Sequence, residues 1–186
     1  MRKIDFIQLI QDRAAGGDVT NDTLQKFKEN TIAATINNIL TEALYGGRNM
    51  LSNVTFGFAY TALTGNYYID LTATPLGSSN GVKTVVDDCG NTYFGRRTFD
   101  QNVLMTKIRP LALPEFFVND SRLTFSSEPK GTSWTVYMTP DFVEMDDDAE
   151  FTCPSIDQIV SVVVDKLKAT NNEPTELINN SKPDKG

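Results

Sequence analysis

The feature that most constrains the fold of this chain is the spacing of its apolar residues, which changes period twice. Up to about residue 45, apolar side chains recur three or four positions apart, the period of an amphipathic helix. From Leu51 they alternate with polar side chains, which is the period of a half-buried strand. After Pro154 the helical spacing returns. The order predicts helices at both ends of the chain and a β unit between them, an α+β fold.

Two helices are predicted before residue 50. The first covers residues 4–15 and stops at Gly16-Gly17, because glycine readily adopts the backbone that ends a helix. The second begins near Thr20, carries its apolar stripe from Ile32 to Leu44, and ends at Gly46-Gly47. The half before Ile32 is polar nearly all round apart from Leu24 and Phe27, which suits a segment that projects into solvent or toward a partner. The preferred interpretation is an amphipathic helix that packs on its own core.

The central segment predicts an antiparallel β unit, either a small sandwich or a barrel. Residues 54–62 and 67–71 alternate on both sides of Gly65-Asn66, which predicts a hairpin. A second hairpin is predicted between Leu123-Phe125 and the strand of Trp134, Val136 and Met138. Other strands are predicted at residues 82–86, 92–94 and 103–108, with turns at Asn80-Gly81 and Cys89-Gly90-Asn91 and an extended stretch between Pro110 and Pro114.

The final helix is predicted from a capping box, in which Ser155 and Gln158 satisfy each other's free backbone amides. Its apolar face runs from Ile156 to Leu167, and we expect it to pack on the N-terminal helices. The predicted divisions are residues 1–50 for the N-terminal helices, 51–150 for the β unit, 151–172 for the last helix and 173–186 for a flexible tail.

The net charge of −7 is unevenly distributed. Residues 131–186 hold eleven acidic and four basic side chains, whereas the rest of the chain is balanced. No Lys or Arg lies between Lys130 and Lys166. Such a surface repels phosphate, which argues against a nucleic-acid reader and against attraction to an anionic membrane. No apolar run approaches the roughly 20 residues of a membrane span, and no signal peptide is recognised, so we expect a soluble protein made inside the cell.

The sequence gives little support for an enzyme, a metal site or a cofactor. The chain has no histidine, the commonest general base near neutral pH and a common metal ligand. The cysteines, Cys89 and Cys153, form no CxxC pair. The stretch from Gly77 to Thr84 has the wrong spacing for a phosphate-binding loop and leads into a strand. An enzyme is supported only by scattered carboxylates such as Asp70, Glu115 and Asp120.

A dense acidic run lies between the Trp134 strand and the last helix, and we call residues 141–150 the acidic elbow. Its carboxylates could bind calcium, but the alternating spacing and glycine of an EF-hand loop are absent. A solvated acidic surface is the preferred interpretation. If the run is functional, repulsion of DNA in a channel or docking to a basic partner is favoured over metal binding. The candidate residues are Asp141, Glu144, Asp146, Asp147, Asp148 and Glu150. Arg96 and Arg97, next to a predicted turn, are candidate inter-subunit contacts.

Two parts of the chain resemble a known family. They are residues 1–45 and the stretch from Pro140-Asp141-Phe142 to Leu167, which includes Phe151-Thr152-Cys153-Pro154-Ser155-Ile156-Asp157-Gln158-Ile159-Val160. Their layout resembles the head-to-tail connector proteins of tailed bacteriophages, the ring or adaptor subunits beneath the portal, of the crAss-like podovirus type. In such proteins the terminal helices pack together while a β unit extends to the next ring.

The resemblance implies a structural virion protein with no cofactor. It implies a closed homo-oligomeric ring of about twelve copies built from head-to-tail contacts. The implied partners are the portal protein and neighbouring tail or ring proteins, and genomic DNA would pass through without sequence-specific binding.

An alternative prediction remains open beside it. The chain could be a small-ligand or carbohydrate-binding β module with helical flanks, in which aromatic side chains form a binding platform. The candidate platform residues are Tyr60, Tyr67, Tyr68, Tyr93 and Trp134.

Overall fold

The computed structural model describes residues 1–16, 28–45, 54–65, 67–77, 81–95 and 115–171. Within these ranges the chain forms three helices and seven strands, which confirms the predicted α+β class. The helices are α1 (Lys3–Ala15), α2 (Glu29–Leu44) and α3 (Ile156–Asn171). The strands are β1 (Phe56–Tyr60), β2 (Tyr68–Asp70), β3 (Val82–Asp87), β4 (Thr92–Tyr93), β5 (Phe116–Asn119), β6 (Arg122–Phe125) and β7 (Trp134–Met138).

The strands form two antiparallel sheets that are not closed into a barrel. The four-stranded sheet has the order β1-β7-β3-β4, and the three-stranded sheet has the order β2-β6-β5. A parallel bridge between Gly95, two residues after β4, and Phe116 of β5 joins the two sheets. Buried side chains of both sheets and of the helices belong to one hydrophobic core. The described residues therefore fold around a shared interior.

Both hairpins predicted across the sheet boundary are wrong. β1 and β2 lie in different sheets: β1 pairs with β7, from Phe56 opposite Met138 to Tyr60 opposite Trp134, and β2 pairs with β6. The connection from β6 to β7 likewise crosses between sheets. The turn at Gly65 exists, but among the described residues the bridge between Thr64 and Tyr68 is the only one it carries. The hairpin formed by β3 and β4 is confirmed, as Val85 faces Tyr93.

Residues distant in sequence lie on both sides of β1, and this explains why β1 does not pair with β2. On the side away from β7, Gly57 exchanges two backbone hydrogen bonds with Thr152, at 2.8 and 2.9 Å. A Cβ at position 57 would lie 2.7 Å from Oγ1 of Thr152, so glycine permits this approach. Between β7 on one side and Thr152 on the other, β1 buries its large side chains, and this burial contributes more than a turn preference.

The helices pack together, and one predicted boundary is wrong. α1 contacts both α2 and α3, and its C-terminus is capped by Gly16 in the left-handed conformation, as predicted. A helix unbroken from Thr20 is not formed, because Lys28 has an extended backbone with ψ 143° and α2 begins at Glu29.

The last helix is confirmed, with Ile159, Val160 and Val163 fully buried on its inner face. Packing thus overrides the poor helix propensity of its consecutive valines. Several predictions fall outside the described residues: the Thr20 helix start, the Asn80 turn, the 103–108 strand, the Pro110–Pro114 stretch, Arg96 with Arg97, and the 173–186 tail.

Candidate functional site

The acidic elbow rests on a cluster of four phenylalanine rings brought together from distant parts of the chain. Phe142 is fully buried, with its ring centroid 5.7 Å from Phe6 of α1 and 5.2 Å from Phe56 of β1. Phe151 packs edge-on against the same two rings at 5.7 and 5.2 Å. The elbow is therefore anchored where α1, β1 and the chain leading into α3 meet.

Asp141 and Asn37 fix the start of the elbow on α2. The Asp141 carboxylate accepts hydrogen bonds from the backbone N–H groups of Val143 and Glu144, at 2.8 and 3.2 Å. It also accepts one from Nδ2 of Asn37 at 2.6 Å, while Oδ1 of Asn37 accepts the backbone N–H of Phe142 at 2.7 Å. Asp141 thus holds the local turn and its contact with α2 at once.

The first residues of the chain hold the other end of the elbow through ion pairs and backbone hydrogen bonds. Nζ of Lys3 lies 3.0 Å from the Asp147 carboxylate and also donates to the backbone oxygen of Met145. Arg2 lies 3.5 Å from Asp148 and 2.9 Å from Asp5. Backbone hydrogen bonds reinforce these pairs, from Lys3 to Ala149, from Ile4 to Asp147 and from Phe151 to Met1. These contacts were not predicted from the sequence, although the adjacent basic residues Arg2 and Lys3 are a signal for them.

The six predicted elbow carboxylates consequently fall into two sets. Asp141, Asp147 and Asp148 are engaged by the contacts above. Glu144, Asp146 and Glu150 are exposed, and no ion pair joins them to another residue in the described part of the chain. Nor do elbow carboxylates gather within metal-binding distance of one another in those ranges. The exposed set is the portion left to face solvent or a partner.

A second acidic turn lies between β3 and β4, where the sequence predicted only a turn. Asp87 is 5% exposed, and its carboxylate accepts hydrogen bonds from the backbone of Cys89 and Asn91, from Nδ2 of Asn91 and from the hydroxyl of Tyr93. Burial disfavours its ionisation, but these donors outweigh burial and lower the pKa of the carboxyl below its usual value.

Asp88 extends this turn to the segment before β7. Its carboxylate accepts hydrogen bonds from the backbone and the hydroxyl of Thr132, which lower its pKa. A Cβ at Gly131 would lie 2.5 Å from Cβ of Asp87, so glycine allows the two segments to touch. We call Asp87, Asp88, Asn91, Tyr93 and Thr132 the Asp87 hub.

Two carboxylates of the Asp87 hub and the neighbouring Cys89 form the one group of potential metal ligands in the described ranges. Ligand atoms of Asp87, Asp88 and Cys89 lie within 4.8 Å of one another. Both carboxylates are already satisfied by protein donors, and the Asp88 charge raises the pKa of the Cys89 thiol. A metal would have to displace these hydrogen bonds, so the arrangement favours a structural role.

The predicted aromatic platform does not assemble on the surface. Trp134, Tyr93 and Tyr60 are 4%, 0% and 9% exposed. Tyr60 is also tied inward, because its hydroxyl accepts the backbone N–H of Thr72 at 3.0 Å. Tyr67 is 39% exposed and Tyr68 is partly buried, so two of the five candidates remain accessible.

The scattered carboxylates do not converge either. Asp70 pairs with Arg122 at 2.9 Å, Glu115 donates its backbone N–H to Ser126, and Asp120 lies in the turn between β5 and β6. An open groove of about 530 Å³ is lined by Gln11, Lys28, Glu29 and Asn30, and none of these scattered carboxylates lies among them.

No protein-family model matches the sequence, and no curated protein is significantly similar to it. None of the helices in the described ranges combines the length and apolar character required to span a membrane.

Proposed function

We propose that this chain is a structural virion protein, a subunit of a homo-oligomeric ring in the head-to-tail connector of a tailed bacteriophage. The observation that supports this most directly is the joint around Phe142. There the N-terminal helix, the C-terminal segment and the four-stranded sheet share one aromatic cluster. A subunit that bears load between head and tail needs its terminal helices and its β unit to move as one body.

The charge distribution supports a passive relation to DNA. A lumen surface that lets DNA slide must avoid releasing condensed counterions, and carboxylates meet that requirement whereas Lys and Arg do not. Glu144, Asp146 and Glu150 supply such carboxylates on the exposed side of the elbow. The chain has no histidine, and the carboxylates of Asp87 and Asp88 accept structural hydrogen bonds. Both observations favour assembly over catalysis.

Co-assembly tests the proposal. The purified chain is mixed with the portal protein of the phage that encodes it, and with the neighbouring tail protein, and the products are examined by negative-stain electron microscopy and native mass spectrometry. We expect a ring of this chain on the portal or on its neighbour. Failure to associate with either protein would sink the proposal.

The role of the elbow is tested separately with charge reversal. We expect the wild type to show no binding to duplex DNA near physiological salt, and a Glu144→Lys, Asp146→Lys, Glu150→Lys variant to gain salt-sensitive binding. A variant that reverses three exposed carboxylates outside the elbow, Asp12→Lys, Glu128→Lys, Asp165→Lys, is the matched control. Ejection of DNA from reconstituted particles should slow for the triple variant and stay normal for the control.

A further inference from the structure

The turn between β5 and β6 holds Asp120 in a backbone conformation that few L residues adopt. Asn119 pairs with Arg122, so Asp120 and Ser121 are the two central residues of the turn. The φ of Asp120 is +51°, and Tyr67 is the only other non-glycine residue in the described ranges with a positive φ. Because the φ of Ser121 is negative, the pattern is that of a type II′ turn.

The geometry of this turn brings the peptide nitrogen of Ser121 to the side of Asp120 that carries Cβ. In a type II′ turn the ψ of the first central residue is about −120°. For an L residue this rotation nearly eclipses the next backbone nitrogen with Cβ, and closure of a five-membered succinimide ring requires the same arrangement. The turn therefore holds Asp120 near the conformation in which its carboxyl group can react with its own backbone.

Neither of the two reacting groups is held by another part of the described chain. Asp120 and Ser121 are both exposed. Within the described ranges, no hydrogen bond or ion pair engages the Asp120 carboxylate, and no acceptor takes the N–H of Ser121. The backbone oxygen of Ser121 accepts the N–H of Leu71 at 2.7 Å, which anchors the turn without engaging the nitrogen. The small side chain of Ser121 also leaves that nitrogen open to approach.

The other aspartates in the described ranges lack this combination. Most of them have a carboxylate that is engaged by a cation or by a hydrogen-bond donor, whereas Asp12, Asp146 and Asp165 do not. Asp12 and Asp165 lie inside α1 and α3, where a ψ of about −42° keeps the next nitrogen away from the side chain. Asp146 has a negative φ and is followed by the larger Asp147.

We infer that Asp120 is a site of spontaneous covalent modification, at which aspartate isomerises to isoaspartate. The nitrogen of Ser121 attacks Cγ of the carboxyl group in its acid form, and a new N–C bond closes the succinimide. The amide proton and the carboxyl OH leave together as water. Water then adds back at either carbonyl of the ring and gives aspartate or isoaspartate. Because one water is lost and one is regained, the reaction needs no oxidant and no cofactor.

Isomerisation changes the turn because it routes the main chain through Cβ of residue 120 and so adds one atom to the backbone. The longer turn no longer requires the left-handed conformation of Asp120. It also moves Ser121 away from Leu71 and disturbs the pairing of Asn119 with Arg122. Aged protein would therefore differ from new protein at one end of the three-stranded sheet. This inference concerns the single chain and does not depend on the proposed function.

The experiment compares the whole native chain with the same chain unfolded in guanidinium chloride. Both samples are incubated at physiological temperature in water enriched in heavy oxygen, because passage through the succinimide adds one heavy oxygen to the residue. Tryptic mass spectrometry locates the label, and methyl transfer by an isoaspartate methyltransferase identifies isoaspartate. We expect both signals at Asp120 to accumulate about tenfold faster in the native chain, since the turn holds the reactive conformation. Asp12, Asp146 and Asp165 are internal controls that should stay unlabelled.

Asp120→Glu and Ser121→Val test the chemistry of the site, with thermal unfolding as the measure of folding. Asp120→Glu keeps the charge but disfavours ring closure, so both signals should be lost at this position. Ser121→Val should slow labelling by about tenfold, because its stiff branched side chain crowds the nitrogen. The inference is overturned if native Asp120 stays unlabelled, if it reacts no faster than Asp146, or if the unfolded chain reacts as fast as the native one. The comparison of native with unfolded wild type stands even where a variant does not fold.

Discussion

The two acidic turns of this protein, the Asp87 hub and the acidic elbow, use the same residue type in different ways. In the Asp87 hub, a carboxylate that is 5% exposed is surrounded by uncharged donors from its own turn and from Tyr93. In the elbow, Asp147 is 66% exposed and pairs with Lys3, which comes from the opposite end of the sequence. The number of carboxylates is therefore a poor guide to their role.

The difference between the two turns is one of burial and of partner. A buried carboxylate that satisfies several donors must stay in place, because its loss leaves those donors without a partner inside the protein. An exposed carboxylate can exchange a protein cation for water or for another molecule at little cost. The Asp87 hub thus stabilises the sheet, whereas the elbow can stabilise its own subunit and still interact outward.

The largest effect should come from the ring beneath the elbow rather than from either set of carboxylates. Phe142→Ala removes a fully buried ring that contacts Phe6 and Phe56, and should lower the free energy of unfolding by about 4 kcal/mol. Urea denaturation followed by circular dichroism measures the change. Val143→Ala, at the adjacent exposed position, should change it by less than about 0.5 kcal/mol. Equal losses for the two variants would show that the elbow is not anchored as described.

The Asp87 hub should respond next most strongly. Asp87→Ala leaves buried donors of Asn91 and Tyr93 without an acceptor, and should cost about 3 kcal/mol. Trp134 is the only tryptophan and lies opposite Asp87 in the β3–β7 pairing, so its fluorescence reports unfolding of this region. Asp141→Ala, which removes a turn cap from the elbow, should lower the free energy of unfolding by about 1 kcal/mol. A smaller loss for Asp87→Ala than for Asp141→Ala would reverse the ranking of the two turns.

The Asp87 hub should also make the stability of the protein depend on pH. Because the pKa of Asp87 is lower in the folded state, its carboxylate adds stability above the unfolded pKa of about 3.9. That contribution is lost as the pH falls through the folded pKa. The stability difference between wild type and Asp87→Asn should therefore be constant above about pH 5 and shrink below pH 4. A difference that grew on acidification would contradict the sign of the shift.

The smallest effect should come from the elbow's ion pair. Asp147→Ala removes a partner of Lys3 that is two-thirds exposed, and should cost less than about 1 kcal/mol. Raising the salt concentration should shrink the difference between wild type and variant, because exposed pairs are screened. Lys3→Met, which keeps an apolar stem, is the companion variant. A salt-independent cost above that of Asp87→Ala would remove the distinction between the two turns.

Much of the fold could be predicted because it depends on local spacing. The stripe from Phe6 to Ile10 and the alternation at Trp134, Val136 and Met138 predicted a helix and a strand whose inner faces are buried. Gly16 predicted the end of α1 because glycine suits the left-handed conformation. Each of these features is decided by a few neighbouring residues.

The candidate site was only partly predictable. The elbow carboxylates stood out as a charge run, but their division into clasped and exposed sets depends on Arg2, Lys3 and Asn37, which lie more than a hundred residues away. Asp87 carried no signal beyond its turn, because the donors around its carboxylate converge only when β3, β4 and the segment before β7 are in place.

The sequence by itself therefore determined most of the described helices and strands, though not β5, together with the apolar faces they bury and the position of the charge. Only the tertiary structure decided that β1 pairs with β7 instead of β2, and that the N-terminal residues hold the acidic elbow. The physical reason is that periodicity is a property of neighbouring residues. Strand partners and ion pairs are instead selected by the free energy of burying all apolar faces together. Distant partners can be selected because the entropic cost of closing a loop rises only slowly with the length of the loop.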